Sequence, residues 1–187
     1  LKTCLLMIIF YGLSFQYVKG QYAPNQEIGI FGGTAYYIGD LNSNHFDNLG
    51  VAGGIHYRKN FDRRISFKSS ALYSNVYADD KNSSSEEDVR RNLHFKTNII
   101  DLSGQIEFNF LPYETGNSLY PWSPFVFAGV SLFTYNPKAE DQNGEWHDLQ
   151  PLGTEGQGTR LHEERKPYSL TQFAIPFGMG IKISVNK

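Results

Sequence analysis

The fold is decided by Ile100-Asp101-Leu102-Ser103-Gly104-Gln105-Ile106-Glu107-Phe108-Asn109-Phe110, in which two classes of side chain alternate without interruption. Successive side chains of a β-strand point to opposite faces, so one face of this segment carries only apolar residues and glycine. The other face is polar and includes Asp101 and Glu107. In a water-soluble sandwich the apolar face would form the core. In an outer-membrane barrel it would meet lipid, and the polar face would line the lumen.

The N-terminus favours the barrel. Lys2 precedes a short apolar run over residues 5–15, and Gly20 precedes the polar Gln21. This order is typical of a secretory signal peptide. The run is shorter than the roughly 20 apolar residues that a membrane-spanning helix needs. We predict a signal peptide over 1–20 and one outer-membrane β-barrel domain over 21–187; a buried N-terminal helix is the alternative.

The composition excludes several other classes of protein. Cys4 is the only cysteine and lies in the predicted signal peptide, so the mature chain would have no disulfide and no thiolate metal site. The formal net charge of −2 argues against a nucleic-acid-binding surface. An aromatic content of 15% with 18 glycines fits a barrel, because only alternate strand positions need to be apolar.

Six strand-like segments follow one another with no convincing helix between them. We expect bulges in the third segment and at Ile99-Ile100, and a bulge or a locally unpaired position at Pro176. The sixth segment alternates strictly over about 15 residues, longer than the roughly 5–6 residues usual for soluble strands. The predicted segments are about 27–38, 49–58, 64–78, 93–110, 125–135 and 171–185.

The connections alternate in length, as they do in outer-membrane barrels. Long polar loops are predicted near 39–48, 79–92 and 136–167, with a short turn at 59–63 and an intermediate one at 111–123. The long loops would face outward if the mature N-terminus lies in the periplasm. Bacterial single-chain barrels start at eight strands. We therefore predict a small antiparallel up-and-down barrel of about eight strands, truncated at the C-terminus; a complete six-stranded sheet is the alternative.

The candidate catalytic groups have a simpler explanation. Ser103, Ser131, His56 and Glu107 could supply a nucleophile and a base if the strands brought them together, as in an outer-membrane lipase or acyltransferase. Lumen filling accounts for the same residue types without catalysis. We expect a protein that is not an enzyme, with no cofactor and no small-molecule substrate. A lipid-modifying enzyme and a stand-alone structural or adhesive barrel are the alternatives.

The remaining motifs do not reach the specificity of a metal or phosphate site. The five histidines lack the spacing of metal ligands. Weak metal binding in one predicted loop is the alternative to solvated side chains, because His147 and His162 share that loop with Glu145, Asp148, Glu155, Glu163 and Glu164. The Gly-rich run 153–159 lacks the Lys-Ser/Thr pair, preceding strand and following helix of a phosphate loop. We expect no metal site.

Charged side chains on the polar faces predict a plugged lumen. Charges in a narrow barrel are costly unless they are paired, and eight strands leave room only for side chains. Arg58 is expected to pair there with lumen carboxylates. We therefore expect no pore, and a lumen polar network that comprises His56, Asp101, Gln105, Glu107 and Lys182.

The predicted short turns carry cations and aromatic residues. One interpretation is an interfacial girdle of aromatic rings and snorkelling cations, as in many barrels. The other is a docking surface for a periplasmic partner. The candidate partner-contact residues are Arg58, Lys59, Arg63, Arg64, Tyr113, Tyr120 and Trp122.

Several segments resemble the PorG-like outer-membrane proteins of Bacteroidetes, over nearly all of the mature chain. Four of them are 36–42, 108–113, 124–129 with 136–139, and 175–182. The most specific is the family-motif loop, Leu149-Gln150-Pro151-Leu152-Gly153-Thr154-Glu155-Gly156-Gln157-Gly158.

The resemblance implies a non-enzymatic component of the type IX secretion system in the outer membrane. Such a barrel would anchor or position the periplasmic ring built by a PorK-like lipoprotein and a PorN-like protein, without being the export channel. Its expected partners are outer-membrane lipid and these ring proteins, and no nucleic acid. The family-motif loop is predicted on the outer side, so it would fold into the barrel mouth or meet a membrane-embedded partner, unless the topology is inverted.

Overall fold

The computed structural model describes residues 25–42, 44–82, 85–154, 156, 164 and 166–185. The predicted signal peptide lies outside the described residues. A 3₁₀ turn (Asp80–Asn82) and one short helix, α1 (Glu86–Arg91), accompany the strands. The strands are β1 (Gln26–Ala35), β2 (Gly50–Asn60), β3 (Ile65–Asp79), β4 (His94–Asn109), β5 (Trp122–Tyr135), β6 (Lys138–Glu140), β7 (Trp146–Asp148), β8 (Thr171–Ala174) and β9 (Phe177–Ile183).

All strand pairs are antiparallel, and the sheet follows the chain in the order β1-β2-β3-β4-β5, with β8 and β9 both on the far edge of β5. The all-β, up-and-down architecture predicted from the sequence is confirmed. The six predicted segments correspond to β1 to β5 and to β8 with β9. The sheet is not closed, because β1 and β9 do not pair with each other in the described part of the chain.

Pro176 divides the sixth segment into β8 and β9. Ser131 pairs with Ala174 on one side of the break, and Ala128 pairs with Phe177 on the other. Two residues lie between Ala128 and Ser131 on β5, and two lie between Ala174 and Phe177 on the other side. The register therefore continues without an inserted residue. The proline has no N–H to donate, although its carbonyl still accepts from Gly129 at 3.0 Å. Of the two alternatives predicted at Pro176, the structure has a locally unpaired position and not a bulge.

The bulges expected in β3 and β4 are not present, and those predictions were wrong. The β3–β4 register runs without a slip from Ile65 opposite Phe108 to Asp79 opposite His94. Ile99 is half-buried on the inner side while Ile100 is exposed. Ile99 can lie on the inner side because the inner face becomes apolar towards the long-loop end, where the buried Val76 lies. Two adjacent isoleucines therefore do not require a bulge.

The polarity of the sheet is inverted relative to that of a water-soluble protein. Across the described residues, Val76 and Ala78 are the buried hydrophobic residues, whereas Ile28, Ile30 and Met179 are 85–87% exposed. Apart from Gly50, the other buried strand residues are polar: Asn60, Ser66, Ser74, Thr97, Ser103, Gln105, Glu107, Asn109, Ser123, Ser131 and Lys182. The alternation seen in the sequence thus becomes a polar interior and an apolar exterior.

The connections gather at two ends. The described parts of segments 36–49, 80–93 and 136–170 lie at one end, here the long-loop end. Segments 61–64 and 110–121 lie at the other, the short-turn end. Sequence reasoning missed α1 and the β6–β7 hairpin, which extends β4 through Lys96 and Lys138. Their lengths of six and three residues are too short for a periodic signal. No helix among the described residues is both long and apolar enough to span a membrane.

Candidate functional site

The inner face of the short-turn end holds a cluster of charged side chains, here the lumen cluster. Its members are inward residues of five different strands. Glu27 lies opposite Arg58 in the register, and Ser66 lies opposite Glu107. The members are Glu27 on β1, Arg58 on β2, Ser66 on β3, Glu107 on β4 and Lys182 on β9.

Glu107 is the centre of the lumen cluster, and its side chain is 1% exposed. Its Oε2 lies 2.8 Å from Arg58 Nε and 2.7 Å from Lys182 Nζ. The Ser66 hydroxyl donates to the same oxygen at 3.1 Å. Removing a carboxylate from water is expensive unless cations and donors replace the lost hydration. Two cations and one hydroxyl supply that compensation here.

A second carboxylate extends the lumen cluster towards the edge of the sheet. Glu27 lies 2.8 Å from Arg58 Nη1 and accepts from Asn60 Nδ2 at 2.7 Å. The hydroxyl of Thr115, in the 110–121 segment, also donates to Glu27 at 2.8 Å. The backbone N–H of Gly116 donates to the Ser184 hydroxyl at 2.7 Å. This segment therefore links the start of β1 to the residue that follows β9 and covers the cluster.

The other predicted lumen residues lie on the inner face but outside the cluster. Asp101 accepts a hydrogen bond from the Ser131 hydroxyl. Gln105 donates to the Ser103 hydroxyl at 3.1 Å. His56 is half-buried, and its Nδ1 is a buried atom with no hydrogen-bond partner in the described structure. The structure thus joins Arg58, Glu107 and Lys182, while Glu27, Ser66 and Thr115 were missed because register and loop folding bring them in.

Three of the four candidate catalytic residues lie in one row across the inner face, whereas Glu107 lies in the lumen cluster. His56 pairs with Ser70 in the sheet register, Ser70 with Ser103, and Ser103 with Ser131. The Ser70 and Ser103 hydroxyls lie 2.8 Å apart. Each serine contacts another hydroxyl, an amide or a carboxylate, and no serine–histidine hydrogen bond is present among the described residues. The serine hydroxyls of this row are thus hydrogen-bonded to one another and to neighbouring polar side chains of the inner face.

The predicted partner-contact residues divide into two groups. Arg58 lies inside, in the lumen cluster, and Tyr113 lies beside Lys182, with 5.8 Å from Nζ to the ring centroid. Arg63 donates to Glu114 at 2.9 Å, and its guanidinium lies 4.3 Å from the centroid of the Tyr120 ring. The residues that remain exposed at the short-turn end are Lys59, Arg64 and Trp122.

The described part of the family-motif loop lies at the long-loop end and is tied to its neighbours by hydrogen bonds. Leu149 N–H donates to Pro137 at 2.9 Å, and Gln150 Nε2 donates to the Tyr168 carbonyl at 2.7 Å. Gly153 has φ of 64°, a left-handed conformation that glycine adopts without strain. Pro151, Leu152 and Thr154 complete a series of turns. Glu155, Gln157 and Gly158 lie outside the described residues.

The buried Asp80 forms an ion pair with the partly exposed Arg91 at the long-loop end. Asp80 is 0% exposed, and the guanidinium donates to both carboxylate oxygens at 2.8 Å. Leu93 N–H adds a third bond at 3.0 Å. These donors hold the pKa of Asp80 below its usual value, with the Arg91 hydrogen bonds as the largest cause. Arg91 also reaches the Asp40 carbonyl at 3.1 Å, so this pair joins two long loops. No sequence pattern predicted it.

A potential metal-ligand group lies in the turn between β6 and β7. Ligand atoms of Asp141, Glu145 and His147 lie within 4.8 Å of one another, and all three residues are exposed. The Glu145 backbone N–H and the His147 ring lower the pKa of Asp141. The weak-metal hypothesis named His147 and Glu145 but not Asp141, and His162 lies outside the described residues. Asp148 instead pairs with Lys138 at 3.1 Å.

A family model described as "Domain of unknown function (DUF6089)" matches residues 3–150. The chain belongs to this family. No curated protein and no solved structure matches it. The matched region contains β1 to β7, and with them Glu27, Arg58 and Glu107 of the lumen cluster. Within DUF6089, therefore, most of the cluster lies in the matched region, while Lys182 comes from β9 beyond it.

Proposed function

We propose that this protein is a non-enzymatic outer-membrane β-barrel of the type IX protein secretion machinery, which anchors or positions the periplasmic ring. The observation that carries the membrane part is the inverted polarity of the sheet. Glu107 and Lys182 are buried, whereas Ile106 on β4 and Ile181 on β9 are 52% and 66% exposed. Such a surface is unfavourable in water and favourable in lipid.

The height of the apolar belt supports the same conclusion. The apolar belt comprises the outward positions of β4 from Ile100 to Phe108, together with Phe110, which directly follows the strand. The ten residue steps from Ile100 to Phe110 span about 34 Å. A tilt of about 40° reduces this to roughly 26 Å, close to the apolar band of about 25 Å on outer-membrane barrels. Tyr57, Phe108 and Trp122 form an aromatic girdle at the short-turn end, and Tyr73 and Tyr77 lie towards the long-loop end.

The secretion part rests on the resemblance to the PorG-like proteins and on the form of the short-turn end. The lumen cluster and the 110–121 segment block the interior there, which supports an anchor rather than an export channel. Outside it, Lys59 and Arg64 are exposed, and Leu119 is 79% exposed at a turn held in place by hydrogen bonds to Asn117. These residues would form the contact with the ring.

Two measurements test the proposal separately. The membrane part requires the protein to fractionate with the outer membrane and to need detergent or lipid to stay monomeric. A refolded sample that is monomeric and compact in plain buffer would contradict it.

The partner part is tested by purifying the native protein from outer membranes after cross-linking. We expect recovery of the ring lipoprotein, with weaker recovery for Arg64→Glu combined with Leu119→Ser. Lys81→Glu, at the long-loop end, is the matched control. Normal cargo secretion after deletion of the protein, or no ring lipoprotein with a well-inserted sample, would exclude this role and favour a stand-alone barrel.

A further inference from the structure

A depression of about 630 Å³ lies on the outer face of the sheet, over β2, β3 and β4. Its floor consists of small outward residues on two adjacent rows: Ser69 and Gly104 are paired in the register, and Ala71 lies one row higher. A Cβ at Gly104 would lie 3.4 Å from the Phe67 ring, so that ring leans over the glycine. The depression exists because these three positions carry almost no side chain.

Large apolar residues form the walls of this depression. Ile28, Ile55 and Leu102 line it and are 86%, 60% and 58% exposed. Its volume lies within the range of roughly 300–1,000 Å³ typical of ligand sites. The backbone of β2, β3 and β4 is fully paired with neighbouring strands, so another strand cannot add here through main-chain hydrogen bonds. The occupant must fit through apolar contact.

The end of the depression nearest the short turns is polar. Tyr57 lines it, and Lys59 projects from the same face of β2, about 7 Å further along the strand. Lys59 is exposed, and no carboxylate lies within ion-pair distance of it in the described structure. Gln26, its partner in the β1–β2 register, is exposed beside it. The Lys59 Nζ lies 5.8 Å from the centroid of the Phe61 ring. The apolar groove thus ends at an amide, a phenol and a cation that has an aromatic neighbour but no carboxylate.

We propose that this depression binds one glycerophospholipid, with an acyl chain over the Ser69, Ala71 and Gly104 floor and the phosphate at Lys59. The chemistry is complementary at both ends, because the walls are aliphatic and the Lys59 cation has no carboxylate partner in the described structure. The inference rests on the membrane-spanning part of the proposed function, and Lys59 is the one residue that it shares with the proposed ring contact. The ligand is an anionic lipid of the leaflet at the short-turn end.

The test is native mass spectrometry of the detergent-solubilised full chain, incubated with phosphatidylglycerol or with zwitterionic phosphatidylcholine. We expect one retained phosphatidylglycerol in preference to phosphatidylcholine. Ser69→Phe and, independently, Ala71→Phe fill the floor and should reduce retention to background. Lys59→Ala should reduce it about fivefold, the effect of one cation near an anionic lipid, with recovery in Lys59→Arg.

Ala128→Leu, an exposed outward position on β5 outside the depression, is the control for added volume, and Lys81→Ala is the control for lost charge. Correct insertion of each variant is checked by its gel mobility before and after heating. Folded floor-filling variants that retain the lipid as the wild type does would overturn the proposal. So would filled variants that lose a co-purifying membrane protein while lipid retention is unchanged. A chain that never inserts would instead contradict the proposed function.

Discussion

Glu107 on β4 and Lys182 on β9 form an ion pair, with 2.7 Å from the carboxylate to Nζ, although β5 lies between their strands. Neighbouring strands are about 4.8 Å apart, so a flat sheet would place β4 and β9 nearly 10 Å apart. Glu107 lies opposite Phe127 of β5 and Lys182 opposite Ser123, which adds an offset of about 14 Å along the strands. The pair forms because the sheet curls and both side chains point to its concave side. The same curvature places the cation of β2, Arg58, on the other side of Glu107.

The first prediction concerns the removal of that central charge. Glu107→Gln leaves Lys182 inside without a carboxylate and leaves Arg58 with Glu27 alone. Breaking a buried pair in this way costs about 3–5 kcal/mol. We expect a loss of this size in the free energy of unfolding, measured by urea titration in lipid vesicles. Glu87→Gln, on the exposed surface of α1, is the matched control and should change the value by less than about 0.5 kcal/mol.

A double-mutant cycle tests whether the pair itself is responsible. Lys182→Met removes the second charge and keeps a side chain of similar length. The double variant should be more stable than the sum of the two single effects predicts, by about 0.5–3 kcal/mol. Strictly additive effects would show that Glu107 acts through its other contacts.

The second prediction tests the outward face by depth. Val130 and Thr134 are outward residues of the same strand, β5, with Val130 towards its middle and Thr134 near its end. Arginine at the centre of a barrel's lipid face costs about 2–4 kcal/mol, and about 0–1 kcal/mol near the interface. We expect Val130→Arg to lower the free energy of unfolding and the inserted fraction in vesicles, and Thr134→Arg to change both little. Equal effects would contradict lipid contact at Val130.

The faces of the strands could be predicted from the sequence because they depend only on a period of two. That rule put Gln105 and Glu107 inside and Ile106 and Phe108 outside, as the structure has them. The prediction of a bulge at Ile99-Ile100 was wrong because it assumed that every inward residue is polar. Here the interior changes from charged to apolar along its length.

The contacts between inward side chains could not be predicted in the same way. They depend on the register, which places Arg58 opposite Lys68 and Ser66 opposite Glu107, and on the curl that brings in β9. The 110–121 segment contributes Thr115 through a fold that no local pattern indicates. The sequence therefore suggested which charges are enclosed, but Glu27 and the sharing of Glu107 by two cations required the structure.

The third prediction concerns pH and the Asp80–Arg91 pair. Arg91 and Leu93 donate to the Asp80 carboxylate and lower its pKa below the ordinary value of 3.8. The pair therefore contributes fully to local stability above the ordinary pKa, and this contribution is lost as the pH falls through the lowered pKa. Asp80→Asn should speed amide hydrogen exchange at Leu93, and the ratio of variant to wild-type rates should shrink towards one in strong acid. Asp79→Asn, next in the chain, is the control. A ratio that already falls between pH 7 and 5 would contradict this assignment.

The fourth prediction compares two glycines at inward positions of the edge strands. A Cβ added at Gly178 of β9 would lie 2.8 Å from the Phe127 ring, whereas one added at Gly33 of β1 would meet nothing within 4 Å. Gly178→Ala must displace the ring, which costs about 1–3 kcal/mol by overpacking. Gly33→Ala should be neutral or stabilising by up to about 1 kcal/mol, because alanine loses less backbone entropy than glycine on folding.

Urea unfolding in vesicles measures both changes, and a second substitution identifies the cause. Phe127→Leu shortens the side chain that Gly178→Ala strikes, so the double variant should be less destabilised than the sum of the single variants. If Gly178→Ala and Gly33→Ala have the same effect, the close approach of Phe127 to β9 does not exist in solution. Gly178 would then be an ordinary strand position, and the tilt of the Phe127 ring over it would not contribute to packing of the interior.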